Sequence, residues 1–366
     1  MNHLNFELIN KAIHTLQGHY EIKTEKLSSE LRELAETVTP KTLDTADFFV
    51  LLSNADSHQT AEAQAIQVIL RQALGYPSED PAGIRLSFST LRLADGGVLA
   101  KTRLVPDNVD KTKPPIVFAG GIFHKTPVYL DFLAKLATES GREILAFDSP
   151  GVGSSRITSK SIHYQQLADS LPQVIASEYP PEHSVVVMGH SLGSIAIRNL
   201  YLHPEGLANP IERFVMIAPL PAVKEQQNGL KFSMAYMLSG TLSMVKRFGR
   251  LAPEKGDGHF YFDKHDSEDR KWIEKTIADE RMPADPFHYL DVLGQVDKNP
   301  VFDDMHDSRL KVVLFSNDEI MKCVKPESWR QNGALIIENQ DHSAVAGREV
   351  PDKIVSAIAA LLSENQ

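Results

Sequence analysis

The stretch that most narrows what this chain can fold into is Gly189-His190-Ser191-Leu192-Gly193. It follows Ser184-Val185-Val186-Val187-Met188, a short run rich in β-branched residues. It precedes Ser194-Ile195-Ala196-Ile197-Arg198-Asn199-Leu200-Tyr201-Leu202, which reads as a helix. An apolar run of that length, without polar alternation, is the pattern of a strand buried on both faces of a parallel sheet. The pentapeptide therefore marks a sharp strand-to-helix turn. Glycines two before and two after the serine keep side chains out of the bend and let Ser191 adopt a strained backbone. Such a bend lifts Ser191 Oγ above the sheet and aims the unpaired N–H groups of the helix start at the same place.

The rest of the chain extends this pattern. A strand with its exit loop is expected at 114–123 and further strands at 143–148, 185–188 and 214–218, with helices at about 129–140 and 161–178 between them. Pro172 sits awkwardly inside the second helix. Alternation of this kind signals a parallel sheet with helices on both faces. Two further strands, 310–315 and 334–337, and a closing helix from 351 to 362 continue it. Ahead of the sheet, Ile84, Leu86, Phe88, Leu91 and Leu93 alternate with polar residues. Asp95-Gly96-Gly97 and a second alternating run, 98–105, complete a β-hairpin.

Two blocks fall outside this regularity. Residues 1–78 carry apolar residues at helical spacing, enough for three or four helices. Their buried faces could rest on the main domain, form a homodimer surface or shelter the site. Residues of about 221–300 interrupt the alternation and read as a cap inserted in the domain 79–366. Its segment 230–245 is rich in methionine, an adaptable residue suited to varied apolar partners. Met234, Met237 and Leu238, with Phe123 on another loop, are the expected substrate-facing residues. The same residues are also what an ordinary core would use.

Composition excludes several classes. A net charge of −10 does not attract nucleic acid or an anionic membrane surface. A single cysteine, Cys323, cannot form an internal disulfide and fits a reducing compartment. The N-terminal residues lack the basic start and apolar core of a signal peptide, and no run of about 18 apolar residues exists. A cytoplasmic protein without stable membrane insertion is expected. The histidines show no metal-ligand spacing, and Gly151-Val152-Gly153 lacks the third glycine of a dinucleotide site. No metal and no cofactor are expected.

A serine hydroxyl is a poor nucleophile at neutral pH and needs a base, which in turn needs an orienting acid. Functional groups in a parallel sheet gather at the carboxyl ends of its strands. Ser191, Asp318 and His342 follow three such ends, in the order expected of a nucleophile elbow with its acid and base. Glu319 is a rival acid, and His288 and His306 are rival bases. Asp148 also ends a strand; because it precedes the serine, it reads as a brace for the Gly-rich turn behind it. His190 lies on the elbow itself and is expected to face away from these three.

From about residue 84 onward the chain resembles the α/β-hydrolase fold superfamily. The residues that carry this are Gly189-His190-Ser191-Leu192-Gly193, the loop Ala119-Gly120-Gly121-Ile122-Phe123, the run from Phe147 to Ser155, Leu314-Phe315-Ser316-Asn317-Asp318, and Asp341-His342. The resemblance implies a mostly parallel doubly wound sheet with a helical cap insertion and an N-terminal helical extension. It implies Ser191 as nucleophile, His342 as base and then acid, and Asp318 as orienter. It also implies an oxyanion hole from the amides of Leu192 and Ile122, with Gly121 or Phe123 as alternatives for the second donor. Relatives often carry His-Gly where this chain has Gly120-Gly121, and glycine where Phe315 stands. The expected activity is hydrolysis of a small-molecule carboxylic ester with a hydrophobic acyl or alcohol group. An acyltransferase or thioesterase would use the same three residues, and a binding protein for acyl ligands would keep the fold without turnover.

Overall fold

The computed structural model describes residues 45–56, 61–121, 124–158, 163–219, 307–318 and 326–363. The segments expected before residue 45 and the cap of about 221–300 lie outside the described residues.

Among the described residues, eight strands form one sheet, and its middle is built from short apolar runs. They are β1 (Ile84–Arg92), β2 (Val98–Pro106), β3 (Ile116–Ala119), β4 (Ile144–Phe147), β5 (Val185–His190), β6 (Ile211–Ile217), β7 (Leu310–Phe315) and β8 (Leu335–Ile337). Their spatial order is β1-β2-β4-β3-β5-β6-β7-β8. The hairpin β1–β2 is antiparallel, and β2 meets β4 antiparallel; every pairing from β4 to β8 is parallel. β3, β4 and β5 are buried at every position, as continuous apolar runs covered on both sides must be.

Helices cover both faces: α1 (Thr45–Asp56), α2 (Ala61–Leu74), α3 (Leu130–Ser140), α4 (Tyr164–Glu178), α5 (Ser194–Leu202), α6 (Pro326–Gln331) and α7 (Asp352–Ser363). On one face, Phe118, Met188 and Val186 pack with Phe132 and Leu133 of α3 and Ile354 and Ile358 of α7; Phe49 of α1 belongs to the same core. On the other, Val117, Val187 and Met216 pack with Leu171 and Val174 of α4 and Ile197 of α5. Alternate residues of one strand thus feed two cores, which is the period-two geometry of a strand.

The two described N-terminal helices rest on the hairpin. α1 packs against β1 and β2, and α1 against α2. Phe49, Tyr76 and Phe88 meet edge to face or tilted, and Arg71 stacks over Phe88 while pairing with Asp80 at 2.6 Å. α4 continues through Pro172 despite the missing N–H at that position. Sequence periodicity did not anticipate α6, whose six residues are too few to display a helical stripe.

Candidate active site

Because β3 to β8 run parallel, their C-terminal ends share one edge, and the loops leaving that edge meet. β5 ends at His190 and turns at once through the 3-10 segment Ser191–Gly193 into α5. Ser191 has φ of 52°, a left-handed conformation that a side chain disfavours and the turn imposes. The flanking glycines are required by space. A Cβ on Gly189 would stand 2.6 Å from the Gly193 carbonyl oxygen, and one on Gly193 would collide with the carbonyl of Ala119. The elbow is therefore pressed against the end of β3, where a side chain has no room. Ser194 Oγ donates to the Gly189 carbonyl at 2.9 Å and closes the bend.

Asp318 and His342 arrive from the loops after β7 and β8. Those loops are stitched together before they reach the serine. The Asn317 amide donates to the Gln340 carbonyl at 2.9 Å, and the Asn339 amide to Ser316 Oγ at 2.8 Å. Asn339 turns the chain with φ of 58°, a conformation asparagine tolerates. The result is one line of side chains. Asp318 Oδ2 lies 2.8 Å from His342 Nδ1, and His342 Nε2 lies 2.9 Å from Ser191 Oγ. Exposure is 8% for Asp318, 2% for His342 and 3% for Ser191. A carboxylate only accepts, so Nδ1–H donates to Asp318 and the lone pair of Nε2 faces the serine hydroxyl. The arrangement can take a proton from Ser191 Oγ and hold the resulting imidazolium beside a negative charge.

The remaining expected site residues are distributed as follows. Leu192 follows Ser191 in the first turn, where amides have no partner within the helix. Ile122 and Phe123 lie outside the described residues, as do Met234, Met237 and Leu238, and the rivals Glu319, His288 and His306. Gly121, an alternative oxyanion donor, has its amide committed to Tyr129 Oη at 2.8 Å. Asp148 is buried and accepts from the Thr126 amide and hydroxyl and from the Ser154 amide, so it ties the segment after the β3 loop to the Gly-rich turn. Burial pushes its carboxyl above the ordinary range, against the pull of those hydrogen bonds.

One expectation is corrected. His190 does not face away. Its Nε2 bonds the backbone carbonyl of His342 at 2.9 Å, its Nδ1 meets Tyr129 Oη at 2.8 Å, and its ring lies 5.0 Å from that of His342. The elbow turns the residue before the serine under the site rather than out of it. Tyr129 had been legible only as a member of an apolar helix face, and nothing in a linear pattern announces its hydroxyl's partner.

Among the described residues, no group of three or more His, Cys, Asp or Glu gathers as a metal site, and no helix is long and apolar enough to cross a membrane.

No curated protein sequence matches this chain. Several solved structures share the fold at low identity. A carboxylesterase of the thaumarchaeon Nitrososphaera gargenis superposes with a TM-score of 0.54 at 14% identity, over 75% of this chain and 98% of its own. A putative lipase of Acinetobacter baumannii gives 0.55 at 17% identity, over 81% and 95%. A haloalkane dehalogenase of Bradyrhizobium elkani gives 0.54 at 11% identity, over 76% and 98%. Enzymes of different chemistry thus share this scaffold, as expected when function resides in the site rather than the fold. The sequence profile described as the alpha/beta hydrolase family matches residues 116–357, which include the elbow and both loops that meet it. With that match over more than half its length, and with the sheet and elbow described above, the chain belongs to the alpha/beta hydrolase family.

Proposed function

We propose that this protein hydrolyses carboxylic esters with Ser191 as nucleophile, His342 as general base and acid, and Asp318 as orienter. The observation that carries this reading is the unbroken line from Asp318 Oδ2 through the His342 imidazole to Ser191 Oγ, with bonds of 2.8 and 2.9 Å. Such a line suits attack by an alkoxide on a carbonyl carbon.

In the first half-reaction Ser191 Oγ bonds to the ester carbonyl carbon and its proton passes to His342 Nε2. The carbonyl oxygen becomes an oxyanion, for which the Leu192 amide at the elbow is one donor. Collapse breaks the bond to the alcohol, which leaves with the proton from Nε2. In the second, a water gives its proton to Nε2, attacks the acyl-serine, and releases the acid as Ser191 recovers its proton. Removing one oxyanion donor from such a site typically costs about 10²–10³ in turnover. The substrate class rests on the apolar, methionine-rich character of 230–245, which favours a hydrophobic acyl or alcohol group.

The test is labelling with a fluorophosphonate and hydrolysis of p-nitrophenyl esters of increasing chain length. Labelling and turnover that both vanish in Ser191→Ala support the reading. Turnover that survives in Ser191→Ala ends it. Transfer of the acyl group to an added alcohol, in preference to water, would reassign the protein as an acyltransferase.

A further inference from the structure

The histidine at position 190 and the tyrosine at 129 are both fully or almost fully buried, and the reaction steps above use neither. Their hydrogen bonds form a chain with only one consistent direction. The Gly121 amide must donate, so Tyr129 Oη accepts it at 2.8 Å. The His342 carbonyl can only accept, so His190 Nε2 carries a proton and donates at 2.9 Å. An imidazole with its proton on Nε2 and no net charge presents a lone pair at Nδ1, and the Tyr129 hydroxyl donates to it at 2.8 Å. Burial, and the nearby imidazoles of His342 and His124, hold His190 well below the ordinary histidine range and keep it neutral.

This chain crosses three loops. Gly121 belongs to the exit of β3, His190 to the elbow, and His342 to the exit of β8, three strands away from β5 in the sheet. The Gly347 amide adds a second tie, donating to the Val128 carbonyl beside Tyr129 at 2.9 Å. A Cβ on Gly121 would stand 3.1 Å from both Ser191 Cβ and Tyr129 Oη, so the β3 loop reaches the tyrosine only by lying flat against the serine. The imidazole of His342 is thus held by Asp318 at its side chain and by His190 at its backbone. With Tyr129 satisfied by a loop amide, its side chain and that of His190 join the β3 loop to the histidine loop, beside the backbone tie at Gly347.

We infer that Tyr129 and His190 are positioning residues. They form a directional relay that sets the height of His342 over Ser191 and withholds the Gly121 amide from the oxyanion. The inference rests on the role of Ser191 and His342 proposed above.

The test compares Tyr129→Phe, His190→Leu, their combination and His190→Gln on the full chain, with p-nitrophenyl butyrate as probe and Ser191→Ala alongside. A misplacement of about 1 Å can cost about 10²-fold in rate, so each of the first two is expected to lower kcat by about 10- to 100-fold with KM nearly unchanged. The double variant is expected to lose no more than the worse single one, because both break one chain. Glutamine offers an acceptor and a donor, and is expected to restore most of the rate. Nitrogen-15 spectra of the unaltered protein give a second measurement independent of folding defects. The resonances lost in His190→Gln are expected to belong to a neutral imidazole with its proton on Nε2, and not to titrate between pH 5 and 9.

A fall in melting temperature with kcat unchanged would overturn the proposal, as would losses that multiply in the double variant. A His190 proton on Nδ1 would overturn it as well. Hydrolysis that persists in Ser191→Ala would instead sink the reading of the triad, and this proposal with it. Turnover abolished by Ser191→Ala but untouched by Tyr129→Phe and His190→Leu would leave the triad standing and remove the relay alone.

Discussion

Two buried regions of this molecule hold together in opposite ways. Beneath α1 and α2, the contact with the hairpin is centred on aromatic rings: Phe49, Tyr76 and Phe88 pack at angles, and polar ties such as the Phe88 amide to Asp56 and Tyr76 to Thr102 lie around them. At the C-terminal edge, the elbow and the histidine loop are joined by polar atoms paired with one another: Asp318, His342, Ser191, His190 and Tyr129. The first region draws its stability from apolar area removed from water, which depends on volume and tolerates small shifts. The second depends on direction and distance, and a single lost partner leaves a buried polar group unsatisfied. Substitutions should therefore separate into those that remove stability and those that remove rate.

The largest separation is expected at Asp318→Asn. The amide can hold His342 only in the wrong tautomer, and hydrolysis of p-nitrophenyl butyrate should fall by about 10⁴-fold while the urea midpoint hardly moves. An equal collapse of stability would erase the distinction between the two regions. Phe49→Ala should do the reverse. This side chain is fully buried, and truncation should cost about 3–5 kcal/mol in urea unfolding while the kcat of the folded protein stays near that of the unaltered chain. A large drop in kcat would mean that the helices on the hairpin reach the chemistry.

A third expectation concerns acid. His190 has its folded pKa below its unfolded value of about 6.5, so as pH falls the unfolded chain binds the proton first. Stability is therefore present above that pH and is lost as the pH drops below it toward the folded pKa, by at most about 1.4 kcal/mol per unit. Urea midpoints at pH 7.5 and 5.0 should differ less in His190→Gln than in the unaltered protein. An unchanged difference would locate the acid sensitivity elsewhere. The smallest effect is expected at Arg156→Ala. Its pair with Asp47 ties α1 to the strand side at 2.9 Å but is partly exposed, so the loss should stay under about 1 kcal/mol. A loss as large as that of Phe49→Ala would show that α1 is held by charge rather than by its aromatic face.

Much of this architecture was legible because it follows from local rules. The burial of β3, β4 and β5 is written in their uninterrupted apolar runs. The bend at Ser191 is written in two glycines whose replacement would strike backbone atoms. Gly141, expected to end α3, does so with φ of 65°. The meeting of Asp318 with His342 could be anticipated, since both follow parallel strands whose ends share an edge. The orientation of His190 could not. Its sequence neighbours fix where its backbone goes, but its side chain answers to Tyr129, 61 positions away, and to the His342 carbonyl, 152 positions away.

The alternation of strands and helices and the sharp turn at Ser191 follow from the order of residues along the chain. Steric limits and hydrophobic period act between near neighbours and so can be read in one dimension. Strand order, and which face of the hairpin receives α1, emerge only once the sheet is assembled. The same holds for the commitment of the Gly121 amide to Tyr129 and for the bond from His190 to the His342 carbonyl. Hydrogen bonds are short and directional, and residues distant in sequence can satisfy one another only after the sheet has brought their loops together.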